Sequence, residues 1–444
     1  MKIIDSQEFT AYWKEASARP LNDEKTEAAV REIIAAVRKD GDDAVRLFAS
    51  RFDRSAPEKT DVPPAAVREA YERLEAEDPS LVEALKFAAD NIRRFALEQK
   101  KQFFDFEYET GEGLIAGQRV IPVERAAVYA PAGRFPLVSS VLMGVIPAAA
   151  AGSGEVLLAS PPLEDGLPDR RVLAASHLAG ADRVFALGGA QGIAALALGT
   201  ETVPRADIIA GPGNKYVAAA KRLLYGEVGI DFIAGPTDML VIAGEGWTGA
   251  AAEKDTAKAA DIAAADMLAQ AEHDPDARAR ALVPSRKTAD LIGAALERRL
   301  LSLPSADSAR ASVDSGALIV VCRTGEEAVR IANTIAPEHL ELQVPGSESL
   351  VPLLKNYGSL FVGSLAAEAL GDYSAGINHT LPTSGSARFS GGLSVRHFLK
   401  IVTTLRCTKG SGWEKAVDAA ERIAAAEGLA GHAASAGIRR GLRG

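Results

Sequence analysis

The sequence predicts an α/β protein with parallel-rich sheets, arranged in two alternating regions. Short apolar runs alternate with helical patterns from about residue 126 onward, and a second such stretch follows residue 238. That alternation is the mark of βαβ units. Two glycine-rich turns, ALGGAQG and AGPGNKY, each follow an expected strand and open a helix. There a ligand can reach backbone N–H groups at a helix N-terminus.

The elements follow in order. The first hundred residues read as helices. TEAAVREIIAAVRKDGDDAVRLFASRFD and LVEALKFAADNIRRFALEQK space their apolar residues at three and four, with Gly41 as a break. The first alternating region runs AAVYA, a helix through SSVLMGVIPAAAA, EVLLAS, a helix through DRRVLAASHLAG, and RVFAL. AQGIAALALG, ADIIA, NKYVAAAKRLLYG and IDFIA complete it. The second runs MLVIA, an alanine-rich helix ending at QAEH, RALVP, TADLIGAALERRLLSL, ALIVVC, EEAVRIANTI, LELQV and SLFVG. Crossovers between parallel strands should be right-handed. The tail, WEKAVDAAERIAAAEGLAGHAAS, is helical and ends in a basic run.

Composition narrows the class. The 444 residues suffice for two or three domains, and the net charge of -9 argues against a nucleic-acid partner. The most apolar stretch, 138–160, is interrupted by Pro147, Gly152 and Gly154. It reads as a buried helix, a turn and a strand, not a membrane span. No signal core opens the chain. The two cysteines, Cys322 and Cys407, lie far apart. Their scarcity suits a reducing cytoplasm, the expected location.

The six histidines focus the search for chemistry, because two of them directly follow glutamate. In LAQAEHDPD, Gln270 and His273 share a helix face, and Pro275 ends that helix. The pair can offer two ligands to a metal or be an ordinary surface contact. GDYSAGINHT places Asp372 and His379 in a glycine-bent loop. These residue types suit zinc or manganese, and also suit a plain turn. EGLAGH offers Glu427 and His432 in the tail. In IAPEHLELQV, Pro337 precedes Glu338 and His339 at a helix-to-strand transition. A turn lets both side chains face one cleft, as proton transfer needs; the alternative is a solvated strand cap. The full G-x-G-x-x-G fingerprint is absent, and no ribose-binding acid stands out.

Taken together, these segments resemble the histidinol dehydrogenase family. The matching strings are VRKDGDDAV, VYAPAGRFPLVSSVLM, GGAQGIAALA with GTETVP, GPGNKYVAAAKR, VGID with IAGPTD, QAEH, APEHL, and GDYSAG with NHTLPTSG. They come in family order and cover nearly the whole chain. The resemblance implies two incomplete Rossmann-like domains. An inserted NAD-binding domain would occupy 129–236, and 22–128 with 237–392 would form the domain carrying catalytic and metal residues. An N-terminal helical segment (1–21) and a C-terminal helical tail (393–444) would pack on the partner of a homodimer.

The resemblance also implies a dehydrogenase that oxidises a small-molecule alcohol through a held aldehyde to a carboxylic acid with two NAD. L-histidinol is the leading substrate, in histidine biosynthesis. One Zn2+ per active site would be held by Gln270, His273, Asp372 and His432, the last from the partner. Glu338 and His339 would be catalytic. Tyr129, Gln191 and Asn214 would contact NAD, and Thr237, His379 and Glu427 the substrate.

Some positions depart from the family pattern. PAG stands at 131–133 for the usual PGG, Thr237-Asp238 for Ser-Glu, and Gly391-Gly392 for Ser-Pro. GRFPLVSS, PTD and GGLSV resemble a paralogous branch acting on 2,3-dihydroxypropanesulfonate. Arg134, Arg388, Arg396 and Lys400 would then serve as anion contacts or else be solvated surface charges. A non-catalytic zinc-binding relative is the reading of a different class, and the intact Glu338-His339 pair speaks against it.

Overall fold

The computed structural model describes residues 1–16, 23–132, 136–233, 235–247, 253–304 and 306–442, with backbone alone at 253–255. Its elements begin with β1 (Lys2–Asp5) and α1 (Ser6–Ala16). The helix α2 (Glu24–Phe52) starts at Asp23, whose carboxylate accepts from Lys25 N, and kinks at Gly41 with φ 53°. Then come β2 (Asp61–Val62), α3 (Pro64–Glu77), α4 (Pro79–Lys100), β3 (Phe106–Gly111) and β4 (Leu114–Pro122).

The first alternating region forms β5 (Arg125–Tyr129), α5 (Val138–Ala151), β6 (Glu155–Ser160), α6 (Arg170–Ala179), β7 (Arg183–Ala186), α7 (Gly189–Leu198), β8 (Ile208–Ala210), α8 (Lys215–Leu224) and β9 (Gly229–Ile230). Its sheet order is β2-β7-β6-β5-β8-β9, parallel except for the edge strand β2. Alternation along β5 serves both faces. Ala126 and Val128 join α3 to α6 on one side; Ala127 and Tyr129 join α2, α7 and α8 on the other.

The second region forms β10 (Asp238–Ala243), α9 (Glu253–Ala271), β11 (Arg278–Val283), α10 (Arg286–Leu300), α11 (Ala306–Gly316), β12 (Leu318–Val321), α12 (Gly325–Ile335), β13 (His339–Gln343), β14 (Ser359–Val362) and α13 (Glu368–Tyr373). Its six strands are all parallel, in the order β1-β12-β11-β10-β13-β14. The expected pair of parallel-rich, incomplete Rossmann-like sheets is present. Strands buried on both faces explain the near-continuous runs MLVIA and ALIVV.

Helices α2, α3 and α4 pack on the first sheet, α2 on one face and α3 and α4 on the other. They share those faces with α5 and α6 on one side and with α7 and α8 on the other. The N-terminal segment adds β1 to the second sheet, with Phe9 of α1 in that sheet's core.

The tail opens differently from the expected helix. It begins with a strand, β15 (Leu399–Cys407), paired antiparallel to β4 along all nine residues. With β3 they make a separate three-stranded sheet, exposed along most of β3 and β15. The helices α14 (Ser411–Ala426) and α15 (Ala430–Gly437) complete the tail. Among the described residues no helix is long and apolar enough to cross a membrane.

Candidate active site

Two strand ends frame one cleft. In the first sheet the order reverses between β5 and β8, and an open α/β sheet binds ligands at the carboxyl ends beside such a reversal. Tyr129 ends β5, and the Gly211–Pro212–Gly213–Asn214 turn follows β8. Gly211 has φ 117°, and a Cβ there would lie 2.2 Å from the Tyr129 carbonyl oxygen. Only glycine allows the two strand ends to approach so closely. Asn214 caps α8, its side chain accepting from Tyr216 N and Val217 N at 3.0 and 3.2 Å. The buried Tyr129 hydroxyl accepts from Gly189 N at 3.1 Å, at the mouth of α7.

The second sheet contributes its opposite, amino ends. Thr237 and Asp238 stand where β10 begins, and Glu338 and His339 where β13 begins. β10 and β13 are neighbours at this sheet's own reversal. Helix α9 delivers Gln270 and His273 to the same end. The two edges are joined across the cleft. Asn378 Nδ2 donates to the Met143 carbonyl at 2.7 Å, Gly235 N donates to Thr383 Oγ1 at 2.5 Å, and Ser140 Oγ lies 3.2 Å from His379 Nε2.

Local structure forces Glu338 inward. Ala336 ends α12 in the left-handed region at φ 52°, and Pro337 carries the chain straight into β13. The Glu338 carboxylate then accepts from Thr237 Oγ1 at 2.5 Å and Asp238 N at 3.0 Å. Asp238 returns the bond, accepting from Glu338 N at 2.8 Å. A buried Arg280 balances Asp238 at 3.0 Å. Gln270 Nε2 donates to Thr237 Oγ1, extending the chain of contacts to α9. Burial pushes the Glu338 carboxyl up to about 7, although His339 and Thr237 oppose this.

The buried His339 imidazole faces carboxylates on both nitrogens. Nε2 lies 3.4 Å from Asp372 and Nδ1 3.6 Å from Glu368. Burial alone would lower its pKa, but Glu368, then Asp372 and Glu338, outweigh it and push it up to about 10. Burial likewise pushes Glu368 up, to about 8, against the pull of His339. Asp372 is depressed: desolvation would raise it, and His339 overcomes that. His379 Nδ1 lies 2.9 Å from the Asp372 carbonyl. A carbonyl only accepts, so Nδ1 carries the proton and Nε2 is left to accept from Ser140. Desolvation keeps the His379 pKa low.

Several expected residues therefore meet: Thr237, Gln270, Glu338, His339, Asp372 and His379. His273 is exposed at the end of α9, close enough to act electrostatically on Asp372 and His379. Glu427 and His432 are not brought to the cleft within this chain. Both are exposed, in tail helices that pack on each other and on β3. Arg134 lies outside the described residues. Arg388, Arg396 and Lys400 are exposed, and Arg388 Nη2 is spent on the Thr334 carbonyl.

A metal is compatible with this donor set. Gln270 Oε1 is a buried oxygen without a hydrogen-bond partner, an expensive state that a cation would relieve, and Asp372 Oδ1 has the His339 imidazole at 3.4 Å but no hydrogen bond. The ligand-type atoms of His339, Glu368 and Asp372 also lie within 4.8 Å of one another. Sequence reasoning gave no role to Glu368, Asp238, Arg280 or Ser140. Glu368 and Asp372 are four apart in α13, and that helical spacing was the available signal.

Comparison with known proteins settles the family. The family model described as histidinol dehydrogenase matches residues 17–440. The chain belongs to the histidinol dehydrogenase family. It is 46% identical over 419 residues to histidinol dehydrogenase of Thermus thermophilus, covering 94% of this chain and 95% of that one. It is 42% identical over 420 residues to that of Aquifex aeolicus, covering 94% and 93%. The crystal structure of histidinol dehydrogenase from Elizabethkingia anophelis superimposes with a TM-score of 0.88 at 32% identity, over 99% of this chain and 97% of that one. The chain is accordingly an enzyme, an oxidoreductase of that family.

Proposed function

We propose that this protein oxidises L-histidinol to L-histidine in histidine biosynthesis, with two NAD used in sequence and the aldehyde held between the steps. The observation that carries the reading is the juxtaposition of Glu338 and His339. Both are buried, both are charge-coupled, and both face the cleft that the dinucleotide-type sheet opens. Tyr129, Gln191 and Asn214 would contact NAD, which accepts hydride at each oxidation. Gln270, His273 and Asp372, with His432 from a second copy of the chain, would hold one zinc ion, supplying a Lewis-acid anchor that orients the substrate.

The chain's own residues then divide the work. His339, in its neutral form, takes the alcohol proton in the first oxidation as hydride leaves for NAD; Asp372 and Glu368 at its two nitrogens favour the protonated imidazole and so draw that proton. Glu338, held by Thr237 and the Asp238 amide, takes a proton from water so that it can attack the aldehyde. His339 releases that proton to solvent and then serves again as base in the second oxidation. His379 and Thr237 line the substrate position, and Glu427 of the second copy would close it. Keeping the aldehyde in a desolvated cleft prevents its escape.

The exposed sheet of β3, β4 and β15 supports the dimer. It offers Tyr108, Ile401 and Leu405 to solvent, and the tail adds Ile423, Leu429 and Ile438. Apolar surface of this extent is ordinarily covered by another chain. We place the protein in the cytoplasm on its cysteine usage.

The test is NADH formation by zinc-loaded protein, with L-histidinol and 2,3-dihydroxypropanesulfonate side by side and acid product counted. Two NADH per histidine supports the proposal. Turnover of the sulfonated diol alone would transfer the reaction to that substrate. No NADH with any alcohol would leave a zinc-binding relative without catalysis.

A further inference from the structure

We infer that Asp53 is a positioning residue for the dinucleotide: it fixes which way the Gln191 amide points. This rests on the reading above that Gln191 contacts NAD.

Asp53 comes from outside the sheet. It caps the C-terminus of α2, with its own N–H donating to the Ala49 carbonyl. A carboxylate is badly placed there, because a helix C-terminus is already the negative end of the macrodipole. A residue that breaks a local rule is a candidate for a role elsewhere. Its side chain reaches the mouth of α7. Oδ2 accepts from Gln191 Nε2 at 3.0 Å, and a Cβ on Gly188 would lie 2.1 Å from Oδ1. The carboxylate is thus pressed directly on the glycine turn that faces the cleft.

The chemistry follows from what each group can donate. An ionised carboxylate only accepts, so it selects Nε2 and turns Oε1 away. Without such a partner the two ends of an amide are interchangeable. Gln191 is buried, and with Nε2 committed to Asp53 its Oε1 is turned the other way. Oε1 lies over Gly189, where a Cβ would be 2.8 Å from it. Gly189 also has φ 56° and donates its N–H to Tyr129, so this turn has no room for a side chain. The result is one oriented acceptor beside the helix N-terminus. It suits an O–H or N–H donor on the dinucleotide, such as a ribose hydroxyl or a carboxamide. The acid that the glycine-rich segment lacks is supplied from α2, and it acts through Gln191.

Direct NADH binding by full-length protein, followed by nucleotide fluorescence, tests this. Gln191→Ala, Asp53→Ala, Asp53→Asn and the Asp53→Ala/Gln191→Ala double variant are compared. Each alanine single variant should weaken NADH binding about tenfold, the upper worth of one neutral hydrogen bond to the dinucleotide. The double variant should be no weaker than either single one, since both remove the same contact. The KM for NAD should rise with kcat at saturation nearly unchanged. Asp53→Asn preserves shape, so its loss of affinity separates orientation from folding. Wild-type affinity in both Asp53 variants, or fully additive losses in the double variant, would overturn the inference while leaving Gln191 as an NAD contact. No effect of Gln191→Ala would instead remove the underlying reading.

Discussion

Glu338 stands where its surroundings decide its chemistry. Burial lifts its carboxyl to about 7, so the carboxylate form that can act as base is gained as pH rises through that value. Aldehyde oxidation should therefore climb between about pH 6 and pH 8, and Glu338→Gln should remove that rise. The same variant should slow aldehyde oxidation by roughly 100-fold or more, the usual worth of a positioned base. Alcohol oxidation, which the proposal assigns to His339, should fall far less. Separate assays from the alcohol and from the aldehyde decide this, and equal loss in both would refute the division of labour. Arg280 is the second residue with a sharp expectation. It is the buried cation facing Asp238, which in turn holds Glu338. Arg280→Met leaves Asp238 buried and unpaired, at a cost of about 3–5 kcal/mol. Urea unfolding of the variant measures it; a loss below about 1 kcal/mol would mean that Asp238 finds water or protonates instead.

Among the elements, the turns after strands bear the tightest constraints. Gly211 combines a left-handed φ with contact against the Tyr129 carbonyl. Gly211→Ala should cost at least about 2 kcal/mol of stability, since strain of this kind runs to about 1–3 kcal/mol before any steric clash is added. It should also raise the KM for NAD, because the clash moves Tyr129. Thermal melts and NAD titration together check the expectation. Helix α12 is the element that aims Glu338 and His339, the pair proposed as catalytic. Thr324 caps it, accepting from Glu327 N at 3.2 Å. Thr324→Ala should cost about 1 kcal/mol. Activity should be kept, because Pro337 and the β13 ladder still set the direction of Glu338.

The whole molecule sets a carboxyl edge of one sheet against an amino edge of the other. The usual rule places ligands at carboxyl ends, and the second sheet breaks it at β10 and β13. In the proposed reading the substrate is thereby met from one side by the dinucleotide-type crevice and from the other by the acid, imidazole and metal-type residues. The tail lies away from this cleft within its own chain. Truncation after Gly410 should leave both α/β units folded, since their cores draw nothing from α14 or α15. It should abolish zinc-dependent activity by removing Glu427 and His432. Circular dichroism with activity and metal content reads both outcomes; full activity in the truncated protein would sink the shared site.

Much of this was legible along the chain. The period of the apolar residues revealed the alternating strands and helices, because burial on two faces leaves a local imprint. Motif spacing marked Glu338, His339, Gln270 and Asp372, because each lies at an element end that glycine or proline punctuates. Other features were decided only in three dimensions. Helices α2 to α4 show an apolar stripe but not which sheet it covers. The pairing of β15 with β4 joins segments nearly three hundred residues apart, and KIVTTLR carries no alternation that would expose it. The Arg280–Asp238 pair, Glu368 beside His339 and Asp53 beneath Gln191 are likewise contacts between distant segments. Sequence determined which local structures form and which residue types were available for chemistry. Tertiary packing alone determined their partners, because the charge state and direction of a buried side chain depend on neighbours brought from elsewhere in the chain.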